Sequence, residues 1–177
     1  MCMLQDSLVS QDDYQGIVKP FLKASGFVVS DAWPSEVIQQ VDWSGENYAN
    51  FPISISGESS LIDRPLLVEG NEINKALVRW STGEAVGHHC VVQTFLTEEG
   101  GSVMECMIAR LSTLYAIYTD PHVPLDAKRN IKEDTWFATI PFHLVQRYCN
   151  AGLVSYWRGT PKGVIAQYAM PDTKLIF

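Results

Sequence analysis

The densest group of reactive side chains in the chain is His88-His89-Cys90. An imidazole beside a thiol can supply a base and a nucleophile, or two of the ligands of a zinc ion. The stretch from Val86 to Thr97 reads as a β-strand, and neighbours on a strand point to opposite faces. His88 and His89 therefore cannot easily share one metal. His88 and Cys90 share a face with Val92, Thr94 and Leu96, and that face is apolar enough to look inward. Cys106, His143 and Cys149 stand at no spacing that completes a ligand set, so neither a metal site nor a cofactor is expected. A His88 held by backbone in the core is the plain alternative to a catalytic one. Cys106 is the second nucleophile candidate, because a helix opening at Ser102 would place it near a helix N-terminus, where the macrodipole lowers a thiol's pKa. With His88 or His89 as base it would form a nucleophilic pair. The ordinary alternative is a small core residue.

Two kinds of binding surface are legible. Residues 1–63 carry nine acids against Lys19 and Lys23, so the whole net charge of −7 lies there and the remainder sums to zero. Trp33 and Trp43 sit in that third among Asp31, Asp42 and Glu46. Aromatic anchors with acidic neighbours suit an interface, the ring filling a pocket and the carboxylates steering a basic partner. Asp12, Asp13, Trp33, Asp42, Trp43 and Glu46 are the expected partner-binding residues. A solvated acidic face that only keeps the chain soluble is the competing account. The second surface is a pocket on one sheet face lined by Arg79, His89, Gln93 and Trp157, half polar as ligand sites are.

These residues need elements to position them. Tyr14, Ile17, Val18, Phe21 and Leu22 fall at helical spacing, with Gly16 and Pro20 working against a regular helix. Pro34 reads as the first residue of a second helix with Val37, Ile38 and Val41 inward. Residues 42–63 are rich in Ser, Gly, Asn and Pro and read as loop, interrupted by Phe51–Ser56. Leu66–Val68 and Ala76–Trp80 read as strands. After Glu98-Glu99-Gly100-Gly101, the capping box Ser102-x-x-Glu105 and the stripe Met104, Met107, Ile108, Leu111, Tyr115 and Tyr118 favour a helix over a returning strand. Residues 120–134 are turn-rich, Trp136–Ala138 is a strand, and Pro141 opens a helix that Gly152 closes. Leu153–Arg158 and Val164–Met170 form a hairpin across Gly159-Thr160-Pro161-Lys162-Gly163.

The sum is one α+β domain, an antiparallel β-rich sheet with three or four helices packed on it. Its acidic helix- and loop-rich part is 1–63, and its β-rich part, 64–177, ends in a helix and a β-hairpin. The length of 177 residues fits a single domain. A 46% hydrophobic, 19% charged composition supplies a core and excludes disorder. The acidic balance disfavours nucleic acid, which needs clustered Lys and Arg, and anionic membrane for the same reason. The start of the chain lacks a basic, then apolar, leader. The four cysteines form no C-x-x-C pair, and a cytoplasmic location is expected. No phosphate loop, dinucleotide fingerprint or nucleophile elbow occurs. The expected function is therefore a protein-binding domain of inhibitor, immunity or adaptor type that meets a basic partner through its acidic, Trp-bearing first third. The alternative is a small-molecule enzyme or ligand sensor using the sheet pocket.

Overall fold

Two strands that are buried on both faces lie at the centre of the molecule. In a computed structural model, which describes residues 14–24, 37–43, 50–58, 63–70, 72–84, 90–96, 102–148, 153–160 and 163–169, these are β3 (Cys90–Leu96) and β4 (Val103–Arg110). Every residue of β3 is buried, as is most of β4. A strand covered on both sides shows no inside–outside alternation, and the few polar residues here, Gln93, Thr94 and Glu105, are buried with the apolar ones. The two pair antiparallel, Gln93 opposite Met107 and Thr94 opposite Cys106.

Around this pair a five-stranded sheet forms in the order β1-β3-β4-β7-β8, with β1 at Val37–Trp43, β7 at Leu153–Thr160 and β8 at Gly163–Ala169. The pairings are antiparallel except β1 with β3, which run parallel. A three-stranded antiparallel sheet, in the order β2-β6-β5, is built from β2 (Asn50–Ile55), β5 (Asp126–Asn130) and β6 (Thr135–Pro141). Helices are α1 (Lys19–Ala24), α2 (Glu72–Ser81), α3 (Leu111–Thr119) and α4 (Phe142–Tyr148). The expected α+β class, antiparallel sheets with helices packed on them, is what is observed.

Each face of the large sheet has its own core. Cys90, Val92, Leu96, Cys106 and Ile108 pack with Val18 and Leu22 of the N-terminal helical segment. Val91, Phe95, Met107 and Ala109, on the opposite face, pack with Phe51, Ile53 and Ile55 of β2 and with Ile73, Leu77, Leu114, Ile117 and Phe142 of the helices. Phe142 links the two sheets: its ring lies 5.0 Å from that of Phe51 and 5.9 Å from that of Phe95, both tilted. The N-terminal segment opens as a π turn, Tyr14–Val18, before α1 begins. Pro20 has no N–H to give the carbonyl of Gly16, and the widened turn sits where that bond is missing.

Several local expectations are corrected: Leu66–Val68 is a single bridge at Leu67 and not a strand, and the turn-rich stretch 120–134 contains β5. Ala76–Trp80 is not a strand but the body of α2. Ile73, Ala76 and Leu77 are buried at helical spacing, a period that starts at Glu72 and is invisible in a five-residue window. Val37–Trp43 forms β1 rather than part of a helix, since Val37, Ile38 and Val41 are β-branched and find a parallel partner in β3. The stretch after Ser102 is the returning strand β4 as far as Arg110 and only then helix. The apparent helical stripe joined a doubly buried strand to the apolar side of α3. The hairpin of β7 and β8 and the strand around Trp136 lie where the sequence puts them.

A side-chain clamp fastens α2 to the small sheet. Asn74 is fully buried, and its Nδ2 donates to the carbonyls of Ser54 and Val68, each at 2.8 Å. Its Oδ1 accepts from the Ser54 N–H, also at 2.8 Å. The outer edge of β2 is thus occupied, because Leu67 bridges Ile55 and the Val68 N–H reaches the Ser54 carbonyl at 3.3 Å. Gly70 lies against the same residue, and a Cβ there would stand 2.2 Å from Ser54 Oγ.

Candidate functional site

Strand β1 is an edge of the large sheet and falls in the acidic third of the chain. By register Asp42 stands opposite Phe95 and Trp43 opposite Leu96, so the two belong to opposite faces. Among the described strands, none pairs with the other side of β1. Natural edge strands are usually blunted by charge or proline. Strand β5 follows that rule with Asp126, Lys128 and Arg129 in five residues, whereas β1 carries a single charge, Asp42, in seven. Asp12, Asp13, Trp33 and Glu46 lie outside the described residues.

Of the expected pocket residues, Arg79, Gln93 and Trp157 fall among the described residues. Arg79 lies on α2, where its Nε donates to Glu84 at 3.0 Å in an exposed pair. Gln93 is fully buried on the inner face, between Val91 and Phe95 along the strand and opposite Met107. Trp157 is the register partner of Cys106, which places it on the other face. His89 lies outside the described residues, as does His88. By register Gln93 and Trp157, expected to line one face, stand at positions on opposite faces of the sheet.

The premise for a nucleophilic Cys106 also changes. It lies on β4, not at a helix N-terminus, and it is buried against the N-terminal helical segment. The Thr94 hydroxyl donates to its sulfur at 3.5 Å. Burial pushes the thiol up to about 12, and the Thr94 bond only partly opposes this. A thiol so held stays protonated at neutral pH and is a poor nucleophile. Among the described residues no three His, Cys, Asp or Glu side chains gather where they could hold a metal ion. No helix among them is long and apolar enough to cross a membrane.

One polar cluster escaped the sequence. Arg64, on the segment that leads into the β2 edge, sends its Nη2 to the carbonyls of Asp120 and Val123 at the C-terminal end of α3. A cation there meets the negative end of the helix dipole, which gives Arg64 a capping role. Tyr118 of α3 lies beside it. Burial pushes the Tyr118 hydroxyl up to about 12, against the pull of the Arg64 guanidinium. Arg64 and Tyr118 are far apart in sequence and carry no motif, so only their tertiary approach reveals the pair.

Comparison with protein-family models, curated proteins and solved structures finds no match for this chain.

Proposed function

We propose that the chain is a protein-binding domain whose docking element is the edge of β1, receiving an extended basic segment of its partner. The observation that carries the reading is that an edge strand with a single charge lies within the third of the chain that holds all of its net charge. An added strand draws affinity from main-chain hydrogen bonds and specificity from alternate side chains. Asp42 and Trp43 on opposite faces of β1 match a segment that alternates basic with apolar residues. The net charge of −7 on residues 1–63 steers such a segment inward and makes its association salt-dependent.

The test is titration with a synthetic peptide of alternating lysine and valine, compared with the same composition in two blocks. The alternating peptide binds more tightly, and Asp42→Lys weakens it about ten-fold at low salt, a loss of about 1.4 kcal/mol. Equal affinity for both peptides, or an unchanged constant in Asp42→Lys, contradicts the proposal.

A further inference from the structure

The capping role of Arg64 accounts for only one of its three nitrogens. Its Nε and Nη1 are shut away from solvent with no hydrogen-bond partner among the described residues, and so is the hydroxyl of Tyr118, a residue only 5% exposed. All of these groups can donate, and so they call for an acceptor. The charge points the same way. Arg64 is bonded to two carbonyls and to no carboxylate of the described residues. The nearest acid along the α3 terminus, Asp120, turns its Oδ1 to the His122 N–H at 2.9 Å. A guanidinium taken out of water without a counter-ion is costly, and the partial charge of a helix end offsets only part of that cost.

We propose that Arg64 and Tyr118 form a binding site for a small oxyanion, a carboxylate or phosphate group, beside the C-terminal end of α3. An oxyanion carries acceptors only and a full negative charge, so it satisfies the donors and neutralises the cation together. Arg64 is itself partly exposed, on a segment held to the fold by the Leu67 bridge, by the bonds around Ser54 and Ser56 and by its own contacts. The site is independent of the β1 edge and stands or falls without it.

Thermal unfolding of the whole chain is followed as sodium acetate, and separately sodium phosphate, replaces sodium chloride at constant ionic strength. At least one of the two raises the wild-type midpoint saturably, by about 4 °C at ten-fold excess over the dissociation constant. Tyr118→Phe keeps the Arg64 cap, remains as stable as wild type in chloride, and binds the oxyanion about ten-fold more weakly. Arg64→Lys keeps a charge but loses the planar donors, and it responds least. Calorimetric titration of the wild type with the same anion returns the same constant. Three results overturn the site. One is the absence of any saturable shift in wild type. Another is a rise equal in wild type and Tyr118→Phe, as salts excluded from the surface produce. The third is a clear loss of stability for Tyr118→Phe in chloride, which means that the hydroxyl already has its partner.

Discussion

Replacing Asn74 removes the clamp between α2 and the small sheet, and the cost can be worked from its bonds. Asn74→Ala deletes three hydrogen bonds of 2.8 Å: two to the Ser54 backbone and one to the Val68 carbonyl. Each is worth about 0.5–1.5 kcal/mol net. The Ser54 carbonyl keeps a bond from the Val68 N–H, but the Ser54 N–H and the Val68 carbonyl lose their Asn74 partner and are left desolvated. Alanine's better helix propensity returns about 0.6 kcal/mol. The expected net loss is about 3–5 kcal/mol, a large share of a typical domain's stability. Asn74→Asp separates polarity from shape. Its carboxylate still accepts from Ser54 but faces two carbonyl oxygens, so it is strongly destabilised at neutral pH and recovers in part in acid, where a protonated oxygen donates again. Urea denaturation with linear extrapolation measures both variants, the m-value confirming that the transition is comparable. A loss below about 1 kcal/mol for Asn74→Ala at unchanged m, or a wild-type stability for Asn74→Asp at pH 7, refutes the clamp.

Other outcomes follow from single sites. Gly70→Ala sets a Cβ 2.2 Å from Ser54 Oγ and 2.8 Å from its Cβ, so it lowers stability although the position is exposed, and Ser54→Gly in the same chain relieves part of the loss. Cys106, its thiol raised to about 12, resists iodoacetamide in the native protein at pH 8 and reacts on unfolding; fast native labelling contradicts its burial. Tyr118 is neutral in the folded chain to about 12, while in the unfolded chain it loses its proton near 10. Ionisation therefore leaves stability untouched below pH 10 and lowers it as pH rises towards 12, a dependence that Tyr118→Phe abolishes. Stability measured across that range checks the sign.

The sequence was legible where local chemistry decides structure. Gly159-Thr160-Pro161-Lys162-Gly163 marks the β7–β8 turn, and the β-branched run around Ile53 marks β2 despite its loop-like surroundings. It misled where tertiary burial overrides pattern. β4 is covered on both faces by two separate cores, so Met107 and Cys106 are equally apolar and mimic a helix. β5, Asp-Ala-Lys-Arg-Asn, is a charged edge with no apolar alternation, and nothing local distinguishes it from a turn. Ala76–Trp80 looks like a strand until Ile73 is included. Of the site residues, the face of Cys90, Val92, Thr94 and Leu96 follows from alternation alone. Arg64 with Tyr118 does not, because residues 54 positions apart meet only once α3 and the β2 strap are in place.

The most direct test of the central claim is amide hydrogen exchange of the chain with and without the alternating lysine–valine peptide. Binding at the β1 edge predicts new protection at alternate amides within Val37–Trp43, those not already paired to β3, with β5 unchanged and with no effect from a peptide N-methylated on its donor edge. Peptide binding that leaves β1 exchange untouched, or that survives N-methylation, contradicts it.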